Sequence, residues 1–402
     1  MSAEVAYRWV RTPAELEALA STLKDAPAVA LDTESDNFYH YFDKVCLVQL
    51  ADLEGRAWLV DPLALPDLRA LNEVFADAKT VKVIHHAEND VALLKRDFGF
   101  AFASIFDTSV AARLCGRPEL GLDTLLDSEL GIHHSKKHQR CDWSRRPLLR
   151  EQEIYAAQDV LHLAALRDRL TRELRELGRE AWCLEEGAAL ADLAPAPKKE
   201  PADFFRAKGA HELGPRDLAV LRELFALREQ WARAADRPLF KIIGDEVLVA
   251  MAVRRPRTKQ ELGALRGMPA FIRERRGPEM LEAILRGEEC PEASLPRRER
   301  VARPRWPIEA CRRVDRLKVW RSEAGPRAKL DPGVLLPQRL IDRIALDAPH
   351  DLATLAAVPG IRQWRVDAFG PEILEALRVP GKIAHAAKPP APAAEPPAVP
   401  PM

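Results

Sequence analysis

The 402-residue sequence lacks any run of about 18 apolar residues, the length that a membrane-spanning helix needs. Its first residues also lack a basic segment followed by an apolar block, so they do not predict a secretory signal. The six cysteines form no C-x-x-C pair, and the histidine doublets at 85–86 and 133–134 have no partners at zinc-ligand spacing. We therefore expect a cytoplasmic protein with free thiols and with no membrane or disulfide-linked partner.

Net charge is also absent, because 61 Lys and Arg residues balance 61 Asp and Glu residues. Acidic residues are nevertheless in excess before residue 200 and basic residues after it. This asymmetry suggests a metal-binding part joined to a part that grips a polyanion, and composition drift between unrelated domains explains it equally well. Hydrophobic residues make up 47% of the chain, which excludes disorder over most of its length.

Three segments rich in proline divide the chain. Residues 193–203 combine Pro, Ala and Lys and predict an exposed linker, 286–307 is charged and holds four prolines, and the end of the chain is rich in Pro and Ala. The predicted domains are 1–192, 212–289 and 308–385, with linkers at 193–211 and 290–307 and a disordered tail at 386–402.

The first domain shows the patterns of an α/β layer. Short apolar segments predict strands at 28–31, 45–50, 57–60 and 81–85, and short connections favour antiparallel pairing of the first three. Helical periodicity predicts helices at 65–78, 91–98, 108–114, 124–130 and 151–177. This order of elements predicts a mixed sheet covered by helices.

The two later domains look helical and resemble each other. Gly277–Ala283 matches Gly370–Ala376 with six identities in seven residues at an offset of 93. Leu262 matches Leu352 at an offset of 90, so this pairing requires an insertion of three residues between the two matches. Two copies of one small helical module are the economical explanation.

Carboxylates that could bind a metal occur at three places. Asp32 and Glu34 end the first predicted strand, where alternation puts both side chains on one face. Asp90 follows the fourth strand near the start of a helix, and Tyr155 and Asp159 lie one helical turn apart on one face. Each motif alone also fits an ordinary role, such as a solvated turn, a charge at a helix N-terminus or a tyrosine beside the core.

In this order, the motifs resemble those of the DEDD exonuclease superfamily, in its tyrosine-bearing subgroup. The segments Cys141–Leu148 (CDWSRRPL) and Tyr155–Val160 (YAAQDV) resemble ribonuclease D, whose nuclease domain precedes two helicase-and-ribonuclease-D C-terminal (HRDC) modules. The resemblance covers about residues 8–380. It implies an α/β ribonuclease-H-like mixed-sheet exonuclease domain followed by two small all-α HRDC-like domains.

The resemblance also implies an activity. The protein would be a 3′–5′ exoribonuclease that uses two divalent metal ions, Mg²⁺ or Mn²⁺, and releases nucleoside 5′-monophosphates. The implied metal ligands are Asp32, Glu34, Asp90 and Asp159, and Tyr155 would orient the attacking water. The implied partner is RNA with a single-stranded 3′ end, such as a transfer-RNA precursor in 3′ maturation, and we expect a monomer.

Basic and aromatic residues near these motifs are candidate contacts for a single strand. They are Lys136, Lys137, Arg140, Arg145 and Arg146 for phosphates, and Phe38, Tyr39, Tyr41 and Phe42 for base stacking. A solvated loop or a packed loop would explain the same residues. The segment 35–42 departs from the usual family pattern, a basic residue and a Thr-Tyr pair, so we expect substrate contacts there to differ.

Basic clusters in the helical modules, at 254–259, 273–276 and 312–318, fit binding of a nucleic-acid backbone. Packing of the modules against the nuclease domain or another protein is the competing explanation. Two further functions stay open: an exonuclease of the same superfamily that acts on DNA, and a catalytically silent nucleic-acid-binding protein that kept the fold. A scaffold for protein contacts would leave the acidic motifs without a role.

Overall fold

The structure, a computed structural model, describes residues 5–298 and 306–378. The chain divides after residue 304 into two compact units, 1–304 and 305–402. The predicted tail at 386–402, the end of the last predicted domain and part of the second predicted linker lie outside the described residues. No helix in the described ranges is both long and apolar enough to cross a membrane.

A single six-stranded sheet forms the centre of the first domain. Its strands are β1 (Tyr7–Val10), β2 (Ala28–Ser35), β3 (Val45–Ala51), β4 (Ala57–Val60), β5 (Val81–Ile84) and β6 (Ile105–Asp107). Their order is β1-β4-β3-β2-β5-β6. β3 pairs antiparallel with β2 and β4 and the other pairs are parallel, so the sheet is mixed as predicted. The edge strands β1 and β6 were not predicted: β1 (YRWV) is not a continuous apolar segment and buries only its valine, and β6 has only three residues.

Eight helices accompany the sheet in the described part of the nuclease domain. They are α1 (Pro13–Leu23), α2 (Asn72–Ala76), α3 (Ala87–Phe98), α4 (Thr108–Leu114), α5 (Leu122–Leu130), α6 (Arg150–Leu161), α7 (Leu163–Glu176) and α8 (Glu180–Ala191). The prediction of one helix at 151–177 was wrong, because the chain turns at His162 between α6 and α7. The predicted helix at 65–78 is also shorter, since a 3-10 turn at Arg69–Leu71 precedes α2.

Packing of α6 and α8 on the sheet shapes the domain. α6 lies across β2, β3 and β4, and α8 packs on β6. At the α8 contact Gly187 is required, because a Cβ there would lie 1.9 Å from the Ile105 carbonyl oxygen. The segment after α8 is not fully exposed as predicted: Leu193 and Ala196 pack against the domain core, and the Ala196 amide donates to the Ala92 carbonyl oxygen at 2.9 Å.

The two later modules are helical, as predicted. The first contains α9 (Pro215–Ala234), α10 (Leu239–Ile242), α11 (Asp245–Arg254), α12 (Lys259–Gly263) and α13 (Ala270–Glu288). The second contains α14 (Ile308–Ala328), α15 (Pro332–Leu335), α16 (Gln338–Asp347), α17 (Leu352–Ala356) and α18 (Gln363–Arg378). Short 3-10 helices at Phe204–Arg206, Ala210–Glu212 and Glu292–Ser294 flank the first module. Each module has its own hydrophobic core.

One offset relates the two modules. Helices α10, α11 and α12 begin at residues 239, 245 and 259, and α15, α16 and α17 begin at 332, 338 and 352, which is 93 residues later in each case. The match of Leu262 with Leu352 at an offset of 90 was therefore wrong. Leu262 is fully buried and Leu352 is 46% exposed, whereas Leu355, which lies 93 residues after Leu262, is fully buried. No insertion of three residues is needed.

Candidate active site

The first part of the site is the end of β2. This strand continues beyond the predicted residue 31 to Ser35, so Asp32 and Glu34 both lie within it. Alternation along the strand directs both side chains to one face of the sheet. Both residues are partly buried, and helix α6 packs against β2.

Helix α6 brings the third carboxylate to the same place. Asp159 is buried, and one oxygen atom from each of Asp32, Glu34 and Asp159 lies within 4.8 Å of the others. The second oxygen of Asp159, Oδ2, is buried without a hydrogen-bond partner among the described residues. Three carboxylates this close repel one another unless protons or a cation neutralise them. The site therefore suits a hard divalent cation, which prefers oxygen ligands.

The electrostatics of these groups reflect their crowding. Burial raises the pKa of Asp32 well above its usual range, and the charges of Asp90 and Asp159 raise it further. Burial followed by the charge of Asp32 does the same to the pKa of Glu34. Burial raises the pKa of Asp159 as well, and a hydrogen bond from His134 partly opposes this effect. A cation bound among these groups would lower all three values.

Asp90 lies beside this cluster rather than in it. It is buried in the first turn of α3, and its Oδ1 accepts a hydrogen bond from the Thr33 hydroxyl, between Asp32 and Glu34 on β2. Burial raises the pKa of Asp90 to about 7. The structure thus gathers three of the four predicted ligands within coordinating distance of one another and holds Asp90 next to them.

Tyr155 lies one turn before Asp159 on α6 and is buried. Burial and the Asp159 carboxylate raise the pKa of its phenol above the ordinary value. The phenol is therefore protonated near neutral pH and can donate a hydrogen bond, but it cannot act as a base. Its ring is surrounded by those of His134, His138 and Trp143, at centroid distances of 5.5, 6.0 and 6.2 Å.

His134 is a site residue that sequence reasoning missed. Its Nε2 lies 2.8 Å from Asp159 Oδ1, and its side chain is only 5% exposed. The residue lies in a segment without helix or strand, so no periodicity ties it to Asp159. The histidine doublet at 133–134 was the available signal in the sequence, but its lack of partners at zinc-ligand spacing did not point to Asp159.

The basic residues proposed to contact RNA divide into two groups. Arg146 pairs with buried Asp61 at 2.7 Å and also donates to the Cys46 carbonyl oxygen, so it braces the fold. Arg145 and Lys136 are also paired, with Asp142 at 3.1 Å and Asp123 at 2.7 Å respectively. The side chains of Lys137 and Arg140 are exposed and make no ion pair with any described residue. Their positive charge is therefore not neutralised by any described carboxylate.

The aromatic candidates also divide. Tyr41 is fully buried, and its hydroxyl donates to Glu229 of the first module, so it cannot stack on a base. Phe38 and Phe42 are 47% and 52% exposed. The Tyr39 hydroxyl donates to the Arg140 carbonyl oxygen at 3.0 Å, and the Lys241 ammonium lies 3.6 Å from the Tyr39 ring centroid.

Acidic neighbours neutralise much of the basic charge of the modules. Arg257 pairs with Glu288 at 2.6 Å, Arg276 with Glu279 at 2.9 Å and Arg316 with Glu309 at 2.8 Å. Arg254 and Lys318 are exposed and have no ion-pair partner in the described ranges. The positive charge available for a nucleic acid is therefore smaller than the sequence clusters suggest.

Comparison with known proteins identifies the class first. A family model described as 3′–5′ exonuclease matches residues 7–175, and the HRDC domain model matches residues 217–284 and 311–377. The chain thus combines a 3′–5′ exonuclease domain with two HRDC domains. Ribonuclease D of Granulibacter bethesdensis is 34% identical over 367 residues, which cover 90% of each chain. The chain belongs to the ribonuclease D family, and the predicted enzyme class is confirmed.

Solved structures confirm the predicted fold class. Escherichia coli RNase D, described as an exoribonuclease involved in structured RNA processing, matches with a TM-score of 0.66 and 25% identity, covering 92% of this chain and 98% of that chain. A protein from Bifidobacterium adolescentis has a TM-score of 0.77 at 24% identity, covers 93% and 97% of the two chains, and shows the fold alone.

Proposed function

We propose that Asp32, Glu34, Asp90 and Asp159 hold two divalent ions, Mg²⁺ or Mn²⁺, that serve hydrolysis at RNA 3′ ends. The observation that carries this proposal is the approach of three carboxylates to within 4.8 Å of one another. The unpartnered Asp159 Oδ2 supports it, because a buried carboxylate oxygen without a partner is costly unless a cation occupies the site.

The ions would offset the negative charge of the reacting phosphate and favour deprotonation of an attacking water. The protein's own groups orient the reactants. Asp32 is near enough to Asp90 and Asp159 to feel both of their charges, so it would hold an ion together with either of them, while the Thr33 hydroxyl holds Asp90 in place. The protonated Tyr155 phenol donates a hydrogen bond that orients the water, and the product is a nucleoside 5′-monophosphate.

We propose RNA with a single-stranded 3′ end, such as a transfer-RNA precursor, as the substrate. Family membership and the described role of the Escherichia coli relative support RNA over DNA. Lys137 and Arg140 would contact phosphates, and exposed Phe38 would stack on a base. We further propose a monomer that acts in the cytoplasm, a location supported by six free thiols.

The test uses the purified protein, Mn²⁺, a 5′-labelled oligoribonucleotide and a 3′-extended transfer RNA. The expected product is a ladder that shortens from the 3′ end and disappears with EDTA. Asp32→Asn should abolish it, whereas Asp67→Asn, at an exposed aspartate paired with Arg69, should not. Wild-type turnover by Asp32→Asn would refute the ligand set, and faster degradation of a matched DNA strand would refute the substrate.

A further inference from the structure

His134 makes the closest described polar contact to the carboxylate cluster. Its Nε2 is 2.8 Å from Asp159 Oδ1. An ionised carboxylate only accepts hydrogen bonds, so the imidazole must donate from Nε2. The side chains of His134 and Asp159 are 5% and 6% exposed, so little water competes for this contact.

The two oxygens of Asp159 are therefore in different situations. Oδ1 accepts the hydrogen bond from His134, while Oδ2 is buried and has no partner in the described part of the chain. An aspartate can turn about its side-chain bonds, and the neighbouring charges of Asp32 and Glu34 would push it away in the metal-free protein. The bond from His134 at Oδ1 opposes that rotation, as does a hydrogen bond from the Tyr155 phenol, which follows His134 in its effect on Asp159.

The His134 ring is itself held in place. It stacks on the Tyr155 ring with a centroid distance of 5.5 Å and an interplanar angle of 30°. Tyr155 and Asp159 lie one turn apart on α6, so the imidazole contacts both residues of that helix face. The segment around 134 thus adds a fixed donor to a site built by the sheet and by α6.

We propose that His134 is a positioning residue that orients Asp159 for divalent-ion binding, an inference that rests on the ligand set proposed above. By holding Oδ1, His134 leaves Oδ2 directed at the place where a cation would sit. Hydrogen bonds to ligating carboxylates set their orientation, and loss of such a partner typically weakens metal affinity about 10- to 100-fold.

The test is Mn²⁺ titration of the full-length protein, with free Mn²⁺ measured by electron paramagnetic resonance. His134→Phe keeps an aromatic ring beside Tyr155 but has no donor, and we expect its Kd for Mn²⁺ to rise about 10- to 100-fold. His134→Gln retains an N–H donor and should recover most of the affinity. His133→Leu is the matched control, because His133 is 98% exposed and its Nδ1 lies 3.3 Å from Asp127 rather than from the carboxylate cluster.

Kinetics supply a second readout. The Mn²⁺ concentration that half-saturates activity should rise in His134→Phe, while kcat at saturating Mn²⁺ should stay close to that of the wild type. A change in general stability alone would not shift the metal requirement and then be rescued by the glutamine variant. Should the phenylalanine variant fail to fold, His134→Met removes the donor in the same way.

The outcomes separate the two proposals. If Asp159→Asn loses Mn²⁺ binding but the donor-free His134 variants bind normally, the role of His134 is refuted and the ligand set stands. Tighter binding by those variants would also refute it, because His134 would then compete with the metal. If Asp159→Asn binds Mn²⁺ as well as the wild type, the ligand set itself fails.

Discussion

The two HRDC modules share one fold and differ at three positions that, in the first module, contact the nuclease loop at residues 39–42. In the first module that loop is bound by three polar residues, Glu229, Arg233 and Asp236. The residues 93 positions later in the second module are Ser322, Pro326 and Lys329. None of these can supply the carboxylate or guanidinium groups used in the first module. The first module belongs to the same compact unit as the nuclease domain, and the second forms a unit of its own.

Some bonds inside the modules recur in both. Arg228 donates to the Ile243 carbonyl oxygen at 2.9 Å, and Arg321, 93 residues later, donates to Leu336 at 2.9 Å. In each module a tryptophan on the first long helix also donates to a glutamate of the last helix. Internal packing thus preserves the fold, and a few polar side chains on one face decide what each copy can bind. Fold alone does not fix the role of a module.

The largest expected effect follows substitution of Tyr41, which contacts the first module. Its side chain is fully buried, and its hydroxyl donates to Glu229. Tyr41→Ala should lower the free energy of unfolding of the first unit by about 3–5 kcal/mol, since it leaves a cavity and takes one hydrogen-bond donor from the Glu229 carboxylate, which keeps only Arg233 among its described donors. Urea unfolding measures it. The control is Phe42→Ala, at a residue 52% exposed, which should cost far less. Equal effects of both substitutions would contradict the docking role of Tyr41.

A buried cation gives the first unit a pH dependence of its own. Lys82 is fully buried, its Nζ donates to the carbonyl oxygens of Asp77 and Thr80, and burial lowers its pKa to about 8. Between about pH 8 and 10.5 the unfolded chain therefore binds more protons than the folded one, so stability rises with pH. Relative to Lys82→Met, the wild-type free energy of unfolding should gain up to about 3 kcal/mol across this window.

Urea titrations of both proteins at pH 8 and pH 10.5 measure this difference. The second unit serves as an internal control, because Arg365 is the only buried charged residue among its described residues and arginine does not titrate in this range. A wild-type-minus-variant difference that is flat with pH would show that Lys82 stays charged in the folded protein.

Asp236 of the first module binds the backbone of the nuclease loop, and the second module has no aspartate at the equivalent position. Its Oδ1 accepts from the amides of Tyr41 and Phe42, both at 3.0 Å, and its Oδ2 lies 2.8 Å from His40 Nδ1. Asp236→Ala should cost about 1–2 kcal/mol in the first unit, because it leaves these donors without their acceptor. Lys329→Ala, at the equivalent position, should be close to neutral. The comparison fails if both substitutions change stability by the same amount.

Patterns with a strong physical basis were visible in the sequence. The core strands were predicted because continuous apolar residues bury both faces of β3. The candidate motifs on β2 and α6 were noticed because Asp32 and Glu34, and Tyr155 and Asp159, are spaced to share a face, and because their order resembles that of a known family. Helix α1 was missed despite a clear start, a capping box between Thr12 and Glu15 followed by Pro13. The turn at His162 was missed because helical periodicity continues through it.

Contacts between segments far apart in the chain could not be predicted. The partners of Tyr41 are 188 and 192 residues away, and nothing in a local pattern distinguishes a stacking tyrosine from a docked one. The bond of His134 to Asp159 and the pairing of Arg146 with Asp61 are of the same kind. The candidate ligands could thus be proposed because the order and spacing of their motifs resemble those of a known family, whereas the groups that orient them depend on tertiary structure.

The smallest effect should follow removal of the second module. The described hydrophobic clusters of the first unit contain no residue beyond Leu295, and the cluster of the second unit begins at Val314. A protein that ends at residue 298 should therefore have the same free energy of unfolding in urea as the first unit in the full chain, within about 0.5 kcal/mol.

A protein that ends at residue 211 should be much less stable, because Tyr41, Ala207 and Ala210 share a core with the first module. If the two truncations were equally stable, the docking of the first module would contribute nothing to the nuclease domain. The presence of Glu229 in the first module, where the second has Ser322, would then not be explained by docking.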